Sequence, residues 1–67
     1  MRVYILINNE KLELEDAFSL QDQEPIINKS FFVQIEGEKK TYTVRKIDVI
    51  LIKSGKSLDV VKEITLE

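Results

Sequence analysis

Few side chains in this sequence are of the kinds that catalyse reactions or bind metal ions. The chain contains no histidine and no cysteine. The commonest general base and metal ligand is therefore missing, together with thiolate nucleophiles, Cys-type zinc sites and disulfides. Its serines have no histidine to activate them. We therefore predict that the protein is not an enzyme and that it uses no metal ion or other cofactor.

One segment contains part of the signature of a phosphate-binding loop. Residues 53–57 read Lys-Ser-Gly-Lys-Ser, which includes Gly55, Lys56 and Ser57. Such a loop also needs an upstream glycine and a following helix, because the N-terminus of that helix binds the phosphate. The upstream glycine is absent, and the residues that follow alternate as a strand does. We expect a tight turn here and no nucleotide site.

Three carboxylates, Glu13, Glu15 and Asp16, are the remaining candidates for acid chemistry or cation binding. Alternate positions on a strand share one face, but no further oxygen ligands stand nearby to complete a site for a hard cation. A domain of this size also rarely has a cleft for a small-molecule substrate. We interpret these residues as a solvated outer face and expect no small-molecule substrate.

Charge and aromatic residues together suggest nucleic-acid binding as an alternative function. Residues 39–62 contain seven basic and two acidic side chains, whereas residues 1–38 contain three basic and eight acidic ones. Phe31, Phe32 and Tyr42 could stack on bases. The net charge of -2 gives no general attraction to a polyanion, so a local patch would have to bind. Its candidate residues are Lys39, Lys40, Arg45, Lys46 and Lys53. A weaker alternative is an acidic inhibitor that uses residues 10–38.

Length and composition indicate one small folded domain over residues 1–67. With 67 residues, of which 43% are hydrophobic and 33% charged, the chain can bury a hydrophobic core. The core must be small, because a short chain buries a smaller fraction of its surface than a long one does. No apolar run approaches the roughly 20 residues that a membrane-spanning helix needs, and no signal peptide is visible at Met1. We expect no membrane contact and a cytoplasmic location.

Apolar residues recur at every second position, which predicts strands almost throughout. The first two strands are expected at Arg2 to Ile7 and at Leu12 to about Glu15, joined by residues 8–11, where asparagine tolerates a positive φ. The predicted register places Ile7 opposite Leu12. Residues 16–30 are ambiguous: a short helical turn and a polar loop could both occur before Ile26 and Ile27 re-enter the core.

A second hairpin is predicted from Ser30 onward, with its turn at residues 37–40 and with Val33 opposite Val44. Beyond Val44 the apolar positions change from even to odd numbers, and Ile47, Val49 and Leu51 continue the inward face. One extra residue at Arg45-Lys46 explains this change, so we predict a β-bulge there. A turn at residues 54–57 then leads to a fifth strand, in which Leu58, Val60, Ile64 and Leu66 alternate with polar residues.

This layout predicts an all-β fold, a five-stranded meander in a small, partly open barrel. It resembles SH3-like barrels in its strand order, in the segment Phe31-Phe32-Val33-Gln34-Ile35-Glu36-Gly37 and in the following Tyr42-Thr43-Val44. The alternative is a β-grasp α+β fold, because an opening hairpin followed by a helix at Asp16 to Gln23 is similar to the start of ubiquitin-like proteins. Fold class alone implies no function.

A second set of apolar residues is expected on the face opposite the core. Its members are Tyr4, Leu6, Phe32, Ile50, Ile52 and Val61. A small barrel has one core, so either the curvature of the sheet buries this second face or a partner covers it. We therefore predict a protein-interaction module that forms a homo-oligomer or binds another protein through this face. Nucleic-acid binding through residues 39–62 is the alternative.

Overall fold

A computed structural model of the chain describes residues 1–14 and 23–67. These residues form five strands and no helix, and therefore contain no helix that is long and apolar enough to cross a lipid bilayer. The strands are β1 (Arg2–Ile7), β2 (Glu10–Glu13), β3 (Ser30–Ile35), β4 (Glu38–Ser54) and β5 (Ser57–Leu66). They form a mixed sheet that curls through 239° into an open half-barrel. This confirms the predicted all-β, partly open barrel. Most of the alternative β-grasp helix would fall outside the described residues.

The strand order in the sheet is β2-β1-β5-β4-β3. Strands β3, β4 and β5 are consecutive and antiparallel, as a meander requires. The opening hairpin differs from a meander, because β1 lies parallel to β5 and brings Ile5 beside Ile64 and Ile7 beside Leu66. This pairing aligns the apolar residues of the two ends of the chain on one face of the sheet.

The first hairpin is tighter than the sequence predicted. Strand β2 begins at Glu10, and Ile7 pairs with Glu10 instead of Leu12. The turn contains only Asn8 and Asn9, whose φ angles of 49° and 67° are those of a two-residue hairpin turn. Because the shift in register is an even number of residues, the predicted faces are retained. Strand β2 ends at Glu13, before the predicted end at about Glu15, which lies outside the described residues.

The second hairpin also closes earlier than predicted. Glu36 and Gly37, with φ angles of 51° and 80°, form the turn in place of residues 37–40. Val33 consequently pairs with Lys40, and Val44 pairs with Leu66, so the expected cross-strand pairing of Val33 with Val44 is wrong. Glycine adopts a positive φ without the steric penalty of a side chain, which favours a turn ending at Gly37 over a longer loop.

The predicted β-bulge is confirmed. The register of β4 against β5 shifts between Val44, which pairs with Leu66, and Lys46, which pairs with Thr65. Arg45 is therefore the extra residue. It moves the inward positions of β4 from Val44 to Ile47, which pairs with Ile64.

The core lies on the inner face of the half-barrel. Its buried residues are Val3, Ile5, Ile7, Phe31, Val44, Ile64 and Leu66, and Leu14, Val33, Ile35, Tyr42 and Ile47 pack against them. The expected return of Ile26 and Ile27 to the core is wrong, because they are 50% and 45% exposed. A turn closed by the Lys29 amide donating to the Ile26 carbonyl, with Asn28 at φ 68°, keeps both at the surface.

Candidate interaction surface

The hairpin of β4 and β5 extends past the rest of the sheet. Strand β1 begins to pair with β5 at Val61, and β3 pairs with β4 up to Thr43. Residues 51–60 therefore form a two-stranded projection. We call this projection, together with its base at residues 48–50, the arm. Its turn at Gly55, with φ 60°, confirms the turn predicted at residues 54–57. The chain spans 41 Å in its longest dimension and 23 Å in the other two.

The arm exposes apolar side chains on both of its faces. Val49, Leu51 and Leu58 continue the inner face and are 62%, 61% and 62% exposed. Ile50 and Ile52 lie on the outer face and are 39% and 44% exposed. Val49, Leu51 and Leu58 therefore lie outside the buried core. Their alternation is as expected, but the half-barrel ends before it can cover them.

One edge of β4 has no strand beside it among residues 1–14 and 23–67. Strand β5 pairs with one edge along residues 44–54, and β3 pairs with the opposite edge along residues 38–43. The Val44 backbone is then bonded to Asn28 and Lys29. Within the described part of the chain, residues 45–54 are left with a row of unpaired N–H and C=O groups, which is a template for another strand.

The structure brings three of the six predicted interface residues together. Ile50 pairs directly with Val61 across β4 and β5, and Ile52 follows on the same face. Val61 is 5% exposed and does not belong to the core cluster. It is flanked by Arg2 on β1 and Ile50 on β4, so the monomer already covers much of this position.

Two other predicted interface residues, Tyr4 and Leu6, are half-buried on the barrel part of the outer face. The Lys11 ammonium lies 4.6 Å from the centre of the Tyr4 ring and 2.7 Å from the Glu63 carboxylate. Leu6 pairs with the same Lys11 across the first hairpin. A long charged side chain can cover apolar surface with its aliphatic part. The surface around Tyr4 and Leu6 is therefore partly polar and partly apolar.

Phe32, the sixth residue, stands apart from the arm. It pairs with Thr41, which lies nine positions before Ile50 on β4, a distance of about 30 Å along an extended strand. The Phe32 ring has the Lys39 ammonium 4.1 Å from its centre. The Gln23 side chain accepts a hydrogen bond from the Phe32 amide at 3.1 Å and donates one to its carbonyl at 2.8 Å. An amide side chain thus caps the edge of β3.

An ion pair marks the place where the arm leaves the barrel. The Arg2 guanidinium donates to the Asp59 carboxylate at 2.6 Å and links β1 to β5. This hydrogen bond lowers the pKa of Asp59 below its ordinary value and, together with the charge of Asp59, raises the pKa of Arg2. Both side chains are about half exposed, so water and salt weaken the attraction.

The candidate nucleic-acid residues do not form a continuous patch. Lys39, Lys40, Arg45, Lys46 and Lys53 are spread along the length of β4. Lys40 and Lys53 pair with Val33 and Leu58 on the inner face, whereas Lys39 lies on the outer face with Phe32. Carboxylates partly neutralise two others, because Arg45 binds Glu67 at 2.7 Å and Lys46 lies 3.6 Å from Asp48.

The open side of the half-barrel contains a cleft of about 490 Å³ between β1 and β3. It is lined by Ile5, Leu14, Gln23, Phe31, Phe32, Val33, Gln34 and Lys39. None of these lining residues is acidic, and Lys39 is the one ionisable residue among them. Within residues 1–14 and 23–67, acidic side chains nowhere cluster in a group of three that could hold a metal ion. Two of the predicted carboxylates, Glu15 and Asp16, lie outside the described residues.

Sequence reasoning missed the inner face of the arm and the unpaired edge of β4. A signal for the inner face was present in the sequence: Val49 to Ile52 is a run of four apolar residues, so both faces of that segment had to be apolar. The unpaired edge depends on where β3 ends, which residue types do not show. No protein-family model, curated protein or solved structure matches the chain.

Proposed function

We propose that this protein is a non-enzymatic protein-interaction module that binds its partner through the arm. The observation that carries this proposal is the arm itself, a two-stranded projection with exposed apolar side chains on both faces and an unpaired edge on β4. Apolar surface of this kind on a small protein is typical of a binding site.

The proposed site is narrower than the outer face predicted from the sequence. Ile50 and Ile52 belong to it, and Val49, Leu51 and Leu58 extend it to the inner face. Val61 pairs with Ile50 but adds little surface, because it is only 5% exposed. Tyr4, Leu6 and Phe32 lie on the barrel, outside this site. An extended partner strand would pair with the β4 edge and bury side chains on both faces at once.

Two further expectations remain part of this proposal. The SH3-like resemblance is supported by the long β2–β3 connection and the bulge that bends β4. The cytoplasmic location stays a prediction. Nucleic-acid binding through residues 39–62 is less well supported, because its basic residues are divided between two faces and partly paired with acids.

A photoreactive leucine analogue, introduced at a single position in cells of the native host, tests the proposal. Leu51 on the arm and Leu12 on β2 form a matched pair, because both are exposed leucines on strands, at 61% and 41%. We expect protein adducts of defined mass from position 51 and none from position 12. An absence of adducts from position 51, or equal labelling from both positions, would contradict the proposal.

A further inference from the structure

The unpaired edge of β4 restricts the chemistry of a partner. It has Lys46 and Asp48 at one end and Lys53 at the other, and the uncharged residues 49–52 lie between them. Natural sheet edges are usually blunted by charge, proline or a bulge, and here the centre has none of these. The described residues that flank segment 15–22, Leu14 and Gln23, are bonded to Val3 and Phe32 and not to the arm. A suitable partner is therefore an extended strand with apolar residues on both faces.

We propose that this strand is the β4 edge of a second copy, which pairs antiparallel to the first across a two-fold axis at Ile50. The inference rests on the proposed function, because it names the partner of the same arm. A two-fold axis perpendicular to the sheet keeps each residue on its own face, so facing residues must both be even or both be odd. Ile50 then faces its own counterpart, and Val49 faces Leu51.

The charges that face each other and the length of the paired segment favour this register over the two neighbouring ones. An axis at Val49 would place Arg45 opposite Lys53, and like charges directly opposite each other are destabilising. An axis at Leu51 would shorten the ladder to residues 48–54. The axis at Ile50 allows residues 46–54 to pair, and it sets no two charged side chains opposite each other.

The same register also makes the existing apolar rows continuous. On the outer face, Val61 and Ile50 of one copy stand in line with Ile50 and Val61 of the other. On the inner face, Val60 and Leu51 stand in line with Val49 of the second copy. The contact is confined to two slender arms and lies at the low end of specific interfaces, below about 1,200 Å². We therefore expect a reversible dimer with micromolar affinity.

Single cysteines test this register directly, because the chain has none of its own. Facing residues of antiparallel strands have Cα atoms about 4.5–5.5 Å apart, within the range of a disulfide. Under mild oxidation we expect Ile50→Cys to form a covalent dimer about tenfold faster than Ile52→Cys. The two copies of residue 52 would lie about 13 Å apart, and each would face Asp48 of the other copy. The double variant Asp48→Cys/Ile52→Cys should restore the covalent dimer.

Sedimentation of the cysteine-free protein provides the second measurement. We expect a concentration-dependent dimer that Ile50→Lys abolishes, with an unchanged β-type circular dichroism spectrum showing that the variant folds. A monomer at high micromolar concentration, or equal oxidation of Ile50→Cys and Ile52→Cys, would overturn the proposal. Photo-crosslinking at position 51 then separates the two proposals. Adducts whose mass differs from that of a dimer of this chain would support the interaction module and contradict the proposed second copy as its partner. An absence of adducts would overturn both proposals.

Discussion

Leu66 and Leu58 belong to the same face of β5, and they are 4% and 62% exposed. Leu66 has β1 on one side, β4 on the other and the curled sheet opposite it, whereas Leu58 has only Lys53 of β4 as a described strand neighbour. An alternating pattern determines which face a residue occupies. Burial requires, in addition, that other strands reach that position.

The largest expected effect comes from truncating these two leucines. Leu66→Ala should lower the free energy of unfolding by about 2–5 kcal/mol, because it removes buried methyl groups and leaves a cavity. Leu58→Ala should change it by about 0.5 kcal/mol or less, since water already reaches that side chain. Urea titration at a concentration low enough to keep the protein monomeric measures both.

If Leu66→Ala does not fold, a less disruptive core variant can be compared with Leu58→Ala instead. Ile64→Val, at a residue with 0% exposure, should cost about 0.5–1.5 kcal/mol. A loss of stability in Leu58→Ala as large as in either core variant would show that the arm is packed in the monomer. The distinction between the two regions would then fail.

Substitutions at the two glycine turns, one in the barrel and one in the arm, should have effects of intermediate size on stability. Gly37 and Gly55 have φ angles of 80° and 60°, which strain any residue with a Cβ atom, by about 1–2 kcal/mol. In Gly37→Ala we expect this strain as a loss of global stability, because β3 must pair with β4 to bury Phe31. In Gly55→Ala the end of the arm can fray instead. We therefore expect faster amide hydrogen exchange at residues 53–58 and a smaller loss of global stability than in Gly37→Ala. Equal losses of global stability would contradict this expectation.

The smallest effect should arise at the Arg2–Asp59 ion pair. The pKa of Asp59 is lowered in the folded protein, so the pair stabilises the fold above the ordinary aspartate pKa of about 3.9. This contribution is lost as the pH falls through the lower, folded-state pKa. Asp59→Asn should therefore be slightly less stable than the parent protein at pH 7, and the difference should vanish in strong acid.

Arg2→Gln provides the control for that ion pair. It should reproduce the loss at pH 7, and the double variant with Asp59→Asn should lose little more than either single variant. Added salt should reduce the difference, because both side chains are about half exposed. Stability differences that are additive, or that do not depend on pH, would show that the two side chains act separately.

Local residue chemistry was sufficient to predict several elements of the fold. Period-two alternation predicted the strands and their faces, and the change of parity after Val44 predicted the bulge at Arg45. Asn8-Asn9 and Gly37 indicated where the chain turns, although the turns are shorter than expected. The observed registers of both hairpins differ from the predicted ones by even numbers of residues. Each side chain therefore stays on its predicted face.

The candidate site was less predictable, because it depends on which strands meet. The sequence by itself determined that Val49 to Ile52 would be apolar on both faces and that Gly55 would end this strand in a turn. Only the tertiary structure decided that β1 pairs in parallel with β5 from Val61 onward and that β3 pairs with β4 no further than Thr43. Those two limits separate the barrel from the arm. The physical reason is that strand pairing joins residues distant in sequence, so the limit of the core depends on contacts that no local pattern contains.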